Sequence, residues 1–246
     1  MNHFLRLTKL AQFSAFGVLA MVSGCNALEQ KGRLDEATSF GMEQIAPWIY
    51  VSKEITEEQR KQLLNAVAQA RHRVTTFYGS LVSNPSFYGC ANRECIQFFG
   101  GKGDGYAVNA TGILLWPRSF IPEAIAHEWS HAELFQRLNG IKGTGLPGWF
   151  NEGLAVVVSE LPQHSEAVYQ EAVSSGYRIP SMRDLAAREW DFKKFENSKG
   201  LNVFYAAAGH EVRMWYQQVG QSGLLNLIEA LKSGKKFNAV YHVAQH

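Results

Sequence analysis

The stretch EAIAHEWSHAELF, residues 123–135, constrains this chain more than any other. His127, Glu128 and His131 stand there as H-E-x-x-H. Four residues make about one helical turn, so both imidazoles share a face only if the segment is an α-helix. From that face they can aim at a single ion, and imidazole nitrogen binds zinc well at about 2.0–2.1 Å. Glu128, beside the first histidine, can reach a water next to the ion rather than the ion itself, which makes it a candidate general base. The flanks agree with a helix over 122–140: Pro122 suits the first turn and Gly140 the end.

The periodicity elsewhere predicts an α+β chain. Over 56–79, Leu63, Leu64, Val67, Ala70 and Val74 recur at helical spacing, with Thr56 placed to cap and Gly79 to stop the helix. CIQFFGG (95–101) and GYAVNATGILLWP (105–117) are rich in β-branched and aromatic residues and broken by glycine, so they read as strands. After residue 120 helices dominate: 146–161 turns from loop to apolar helix, and 202–220 and 222–234 each close on glycine. The expected architecture is a small N-terminal mixed sheet with a long helix (43–120) and a mostly helical lobe (121–246). No Pro/Ser-rich linker separates them, and with 46% hydrophobic residues the 246-residue chain can bury one sizeable core.

The start of the chain differs. Arg6 and Lys9 precede the apolar run LAQFSAFGVLAMV, and VSGC ends at Cys25. That order of basic, apolar and small residues reads as an export signal over 1–24, too short for a stable membrane span. VSGC resembles the lipobox of bacterial lipoproteins, which implies cleavage before Cys25 and lipid on that residue; the alternative is a plain secretory signal. In such lipoproteins Asn26 in place of aspartate points to the outer membrane of a Gram-negative cell, the domain facing the periplasm. Residues 25–42, polar near their start, read as a tether. Removing 1–24 takes away Arg6 and Lys9 and leaves 22 basic against 22 acidic side chains. With neither net charge nor a basic run, nothing favours a nucleic-acid partner. In an exported chain Cys90 and Cys95 are candidates for a disulfide, which would stabilise by roughly 2 kcal/mol. The rival is a metal pair, for which Cys-x₄-Cys alone is poor spacing.

HEWSH is followed by WFNEGLA, with Glu152 twenty-one residues after His131. Together these resemble the gluzincin metallopeptidases, the second piece being close to the W-x-N-E-G-x-A of the M1 aminopeptidase clan. The resemblance covers about residues 100–235. It implies a zincin-like domain in which His127, His131 and Glu152 bind Zn2+ and Glu128 is base and proton shuttle. FYAAAGHEVRMWYQQVG looks like the late helix of that clan, whose tyrosine hydrogen-bonds the oxyanion; Tyr205 matches it, with His210 as the alternative. GYAVNATGILLWP falls where those enzymes keep a substrate-pairing edge strand, though an ordinary core strand fits as well. The aminopeptidases also carry G-x-M-E-N to hold a free amine. The nearest string here, GMEQ at 41–44, lies about eighty residues before the zinc helix, so the resemblance implies an endopeptidase more than an exopeptidase.

The expected function is thus a membrane-anchored zinc peptidase acting on peptide or protein substrates of the cell envelope. The alternative is a zinc-binding lipoprotein using the fold as a binding or assembly module. Glu128 separates them, since a binding module needs ligands but no base. Other residues receive structural readings: Trp129 and Trp149 as packing, Glu133 as a surface carboxylate or a support for a ligand, and His164, His242 and His246 as isolated, exposed histidines.

Overall fold

A computed structural model of the chain describes residue 34 and residues 36–101, 104–140, 144–181 and 198–241. Residues 1–24, read as an export signal, and Cys25 lie outside them. Five strands, β1 (Met42–Ala46), β2 (Ile49–Ser52), β3 (Ser86–Gly89), β4 (Gly105–Val108) and β5 (Gly112–Leu115), form one mixed sheet in the order β1-β2-β3-β5-β4. β2, β3 and β5 run parallel, while β1 and β4 pair antiparallel to their neighbours. Parallel neighbours need a crossover, and between β2 and β3 it is α1 (Glu57–Tyr78). Thr56 and Gln59 form a reciprocal capping box at its start, and Gly79 ends it at φ 78°. The sequence places both ends correctly because capping chemistry is local.

Alternate side chains of the sheet enter two cores. Phe87, Ile113 and Leu115 join the main core with α1 and the helices that follow: α3 (Pro122–Arg137), α4 (Gly148–Ser159) and α6 (Ser198–Lys232). Tyr88, Leu114 and Val108 face a smaller core on the opposite side. α6 is broken at Gly220, whose φ of 64° and ψ of −170° are not helical, so it is two helices, as the glycine predicts. A short helix, α5 (Glu166–Ser174), lies between α4 and α6, and α7 (Phe237–Tyr241) closes the described chain. Among the described residues, no helix is long and apolar enough to cross a membrane.

Two expectations change. The strand read over 95–101 is instead α2 (Arg93–Phe98) followed by a turn. Cys90 and Cys95 are bridged, with Cα atoms 5.5 Å apart, whereas five extended residues would span about 17 Å. The chain must therefore fold back, and Asn92 caps the resulting helix by accepting from the Cys95 N–H at 2.9 Å. Part of the segment read as a tether, 25–42, is packed against the sheet. Leu34 and Ala37 are buried in the smaller core, and the Tyr88 hydroxyl donates to the Leu34 carbonyl at 2.9 Å. Those two apolar side chains were masked in the sequence by polar neighbours.

Glu133 is neither on the surface nor a support for a metal ligand. It is fully buried (0% exposed) and binds the loop after α1. Its carboxylate accepts from the Val82 and Ser83 N–H groups, each at 2.9 Å, from the Ser83 hydroxyl at 2.6 Å and from Arg137 Nε at 2.8 Å. Ser83 in turn accepts from the Trp129 indole at 3.1 Å. Removing the carboxylate strands buried donors and a guanidinium, so Glu133→Ala should destabilise the protein by about 3–5 kcal/mol while leaving metal uptake per folded chain unchanged. Denaturant unfolding of both proteins, with metal analysis of each, checks this.

Candidate metal centre

α3 buries Ile125, Ala126, Trp129 and Ala132 in the main core. His127, Glu128 and His131 lie on its other side, towards α4 and β4. α4 is apolar along most of its length and packs against α3, which delivers Glu152 opposite the two histidines. Glu152 Oε2 lies 3.2 Å from His127 Nε2 and 3.3 Å from His131 Nε2. The ligand atoms of the three residues are all within 4.8 Å of one another, and such a group could hold a metal ion. The sequence predicted this trio.

The electrostatics of the trio favour positive charge. Burial alone would lower the His131 imidazole, but the Glu152 carboxylate and its hydrogen bond, with help from Glu128, lift it to about 9. Burial alone would raise Glu152, yet His131 and His127 hold its carboxyl well below the usual range. The Nδ1–H of His131 donates to Asn151 Oδ1 at 3.0 Å, which turns Nε2 towards Glu152. Asn151 stands beside Glu152 in WFNEGLA, and that adjacency is the signal in the sequence for its contact with His131.

Glu128 is directed elsewhere. The Ala107 N–H of β4 donates to its Oε2 at 2.9 Å. A Cβ on Gly105 would come within 2.9 Å of its Oε1, so the bare backbone of Gly105 makes room for the carboxylate. Of the two strands in the segment 105–117, β4 is an edge strand and β5 an interior one, so each of the two alternatives holds for part of it. Since the Ala107 N–H leaves the ladder, alternation turns the backbone groups of Gly105 and Ala107 to the open edge.

Tyr205, on α6, has its ring 6.1 Å from that of His127, at 69°. Burial, with Glu152 and Glu128 nearby, pushes its phenol far above the usual value, so it remains protonated and able to donate. The approach of α6 rests on two glycines. A Cβ on Gly153 would fall 2.5 Å from the Ala208 carbonyl oxygen, and one on Gly209 would fall 2.4 Å from Val156 Cγ1. His210 faces away from the trio. Its Nδ1 lies 2.8 Å from Glu166 Oε1, and its ring stacks on Tyr169 at 3.9 Å. Of the two candidates on this helix, only Tyr205 is brought to the histidines.

His164 corrects the sequence reading. It is neither isolated nor exposed: its ring stacks on Tyr205 at 4.4 Å and lies 6.3 Å from that of His127. Burial, reinforced by His127, pushes its imidazole down to about 4, so it is neutral at physiological pH. It sits on a short turn, Pro162–His164, with no periodicity to reveal its direction. His242 and His246 lie outside the described residues. Trp129 and Trp149 are buried packing, as expected.

Because Asn151 fixes a ring rather than binding an ion, Asn151→Ala should keep the fold and weaken metal affinity by about 10–100-fold. Competition with a chromogenic chelator, wild type against variant, measures this. No protein-family model and no curated protein matches the chain, which leaves the reading of the site to its own residues and geometry.

Proposed function

We propose that this protein is a zinc-dependent endopeptidase of gluzincin type, anchored by lipid at Cys25 and acting on peptide or protein substrates of the cell envelope. One observation carries the reading: His127 and His131 each approach a single oxygen of Glu152 to 3.2–3.3 Å, while Glu128 stands aside. Donors about 2.0–2.2 Å from a tetrahedral ion lie about 3.3–3.5 Å from each other, so the spacing fits zinc, as does a donor set of two imidazoles and a carboxylate. A base kept apart from the ligands is what hydrolysis needs and a binding module does not.

Zinc, when bound, supplies a Lewis acid that polarises the scissile carbonyl and makes water a better nucleophile near neutral pH. This chain's residues do the rest. The substrate backbone lies along β4, whose edge carries the outward groups of Gly105 and the carbonyl of Ala107. Water attacks the carbonyl carbon as Glu128 takes its proton. Glu128 then passes that proton to the amine as the C–N bond breaks. Tyr205 donates a hydrogen bond to the negative oxygen of the tetrahedral intermediate, and its elevated pKa keeps the donor proton in place. The β4 positions beside Glu128 are Gly105 and Ala107, and neither offers a carboxylate to hold a free amino terminus. That supports cleavage within chains.

Glu128→Gln should retain one zinc per chain and lose hydrolysis of quenched fluorescent casein, whereas equal turnover in that variant contradicts the mechanism. Tyr205→Phe removes only a hydroxyl; kcat should fall by roughly 10²–10³ with KM and zinc content little changed. Blocking lipidation with Cys25→Ala should release the mature protein from the membrane fraction or leave it unprocessed; wild-type fractionation of a processed variant would refute the anchor.

A further inference from the structure

We propose that His164 is a positioning residue that clamps the Tyr205 ring beside the candidate metal centre, so that the phenol is aimed before substrate arrives. The catalytic use of this clamp rests on the reading of Tyr205 as the oxyanion donor.

Tyr205 meets an imidazole on each of two sides. His127 presents an edge contact at 6.1 Å and 69°, and His164 lies nearly parallel at 4.4 Å and 19°. His127 is committed to the trio, its Nε2 lying 3.2 Å from Glu152 Oε2. His164 carries no such duty and is outside that trio. α6 borders it. Asn202 lies close to its side chain, and Tyr205 takes its ring face. Its own turn is closed by the His164 N–H donating to the Leu161 carbonyl at 2.9 Å, directly after the helix that carries Glu152. The residue therefore ties the end of the ligand helix to the donor on α6.

A phenol between two fixed rings loses its rotational freedom on folding rather than in the transition state, and a preorganised donor is worth more than one that must be gathered in. The Nδ1 of His164 is buried and has no hydrogen-bond partner among the described residues. The contact with Tyr205 is thus made by the ring face, and phenylalanine can supply a face as well.

Two readouts on the full mature protein test this. The first is the flip rate of the Tyr205 ring, by NMR of ¹³C-labelled tyrosine, with the signal assigned by its absence in Tyr205→Phe. Separate signals for the two ring edges are expected in the wild type and in His164→Phe, and averaged signals, with flipping at least about tenfold faster, in His164→Ala. Averaged signals already in the wild type, or an unchanged rate in a folded His164→Ala, overturn the clamp. The second is turnover of quenched fluorescent casein. His164→Ala should lower kcat by about 10–100-fold at unchanged KM and zinc content, His164→Phe should restore most of it, and in a Tyr205→Phe background His164→Ala should add less than about twofold. Independent, multiplying losses in that double variant overturn the proposal. If Tyr205→Phe alone turns casein over at the wild-type rate, the oxyanion reading fails, and the flip rates still decide whether His164 holds the ring.

Discussion

The carboxylate of Glu152 lies between two imidazoles that belong to another helix, and that convergence organises the centre of the molecule. One turn of α3 aligns His127 and His131 by geometry alone. Bringing Glu152 to within 3.2–3.3 Å of both requires α4 to pack against α3 in a single register. The apolar residues of α4 enforce it: Phe150 and Leu154 are fully buried in the main core. α6 packs on α4 as well, with Phe150 against Trp215 at 5.2 Å, and Gly153 and Gly209 allow backbones to approach closer than any side chain would permit. Tyr205 and the trio are thus held by packing between helices rather than by loops, which favours a rigid constellation.

The same convergence sets the charge balance. Glu152 is held ionised by its histidines, and the His131 imidazole is raised by its carboxylates. A metal ion held there would replace the proton on that imidazole, with His127, His131 and Glu152 as the residues that would hold it. Asn151 keeps the His131 ring turned the right way throughout. On the far side, the edge strand approaches Glu128 so closely that Gly105 has no room for a Cβ. Glu128 and β4 are therefore in direct contact.

How much of this was legible in the chain follows from the range of each interaction. The α1 caps, the glycine break at Gly220 and the H-E-x-x-H face depend on residues a turn apart, and the sequence displays them. Glu152 was legible through its N-E-G neighbours and Tyr205 through its helix. The helix over 93–98 was hidden because Ile96, Phe98 and Phe99 suit a strand equally well; the reversal imposed by the Cys90–Cys95 bridge and the Asn92 cap decided the matter. Glu133 and His164 were misread for a different reason. A buried carboxylate needs a loop fifty residues earlier in the chain to donate to it, and a histidine on a short turn needs another helix to stack upon. Neither partner has a fixed sequence offset, so no periodicity announces them.

The claim on which the account rests is that His127, His131 and Glu152 together bind one zinc ion. X-ray absorption at the zinc edge, on protein purified without added metal chelators, tests it most directly. The account predicts one zinc per chain in a shell of nitrogen and oxygen at about 2.0–2.2 Å, with multiple scattering from two imidazoles. A shell containing sulfur at about 2.3 Å, or zinc bound without imidazole, would contradict it.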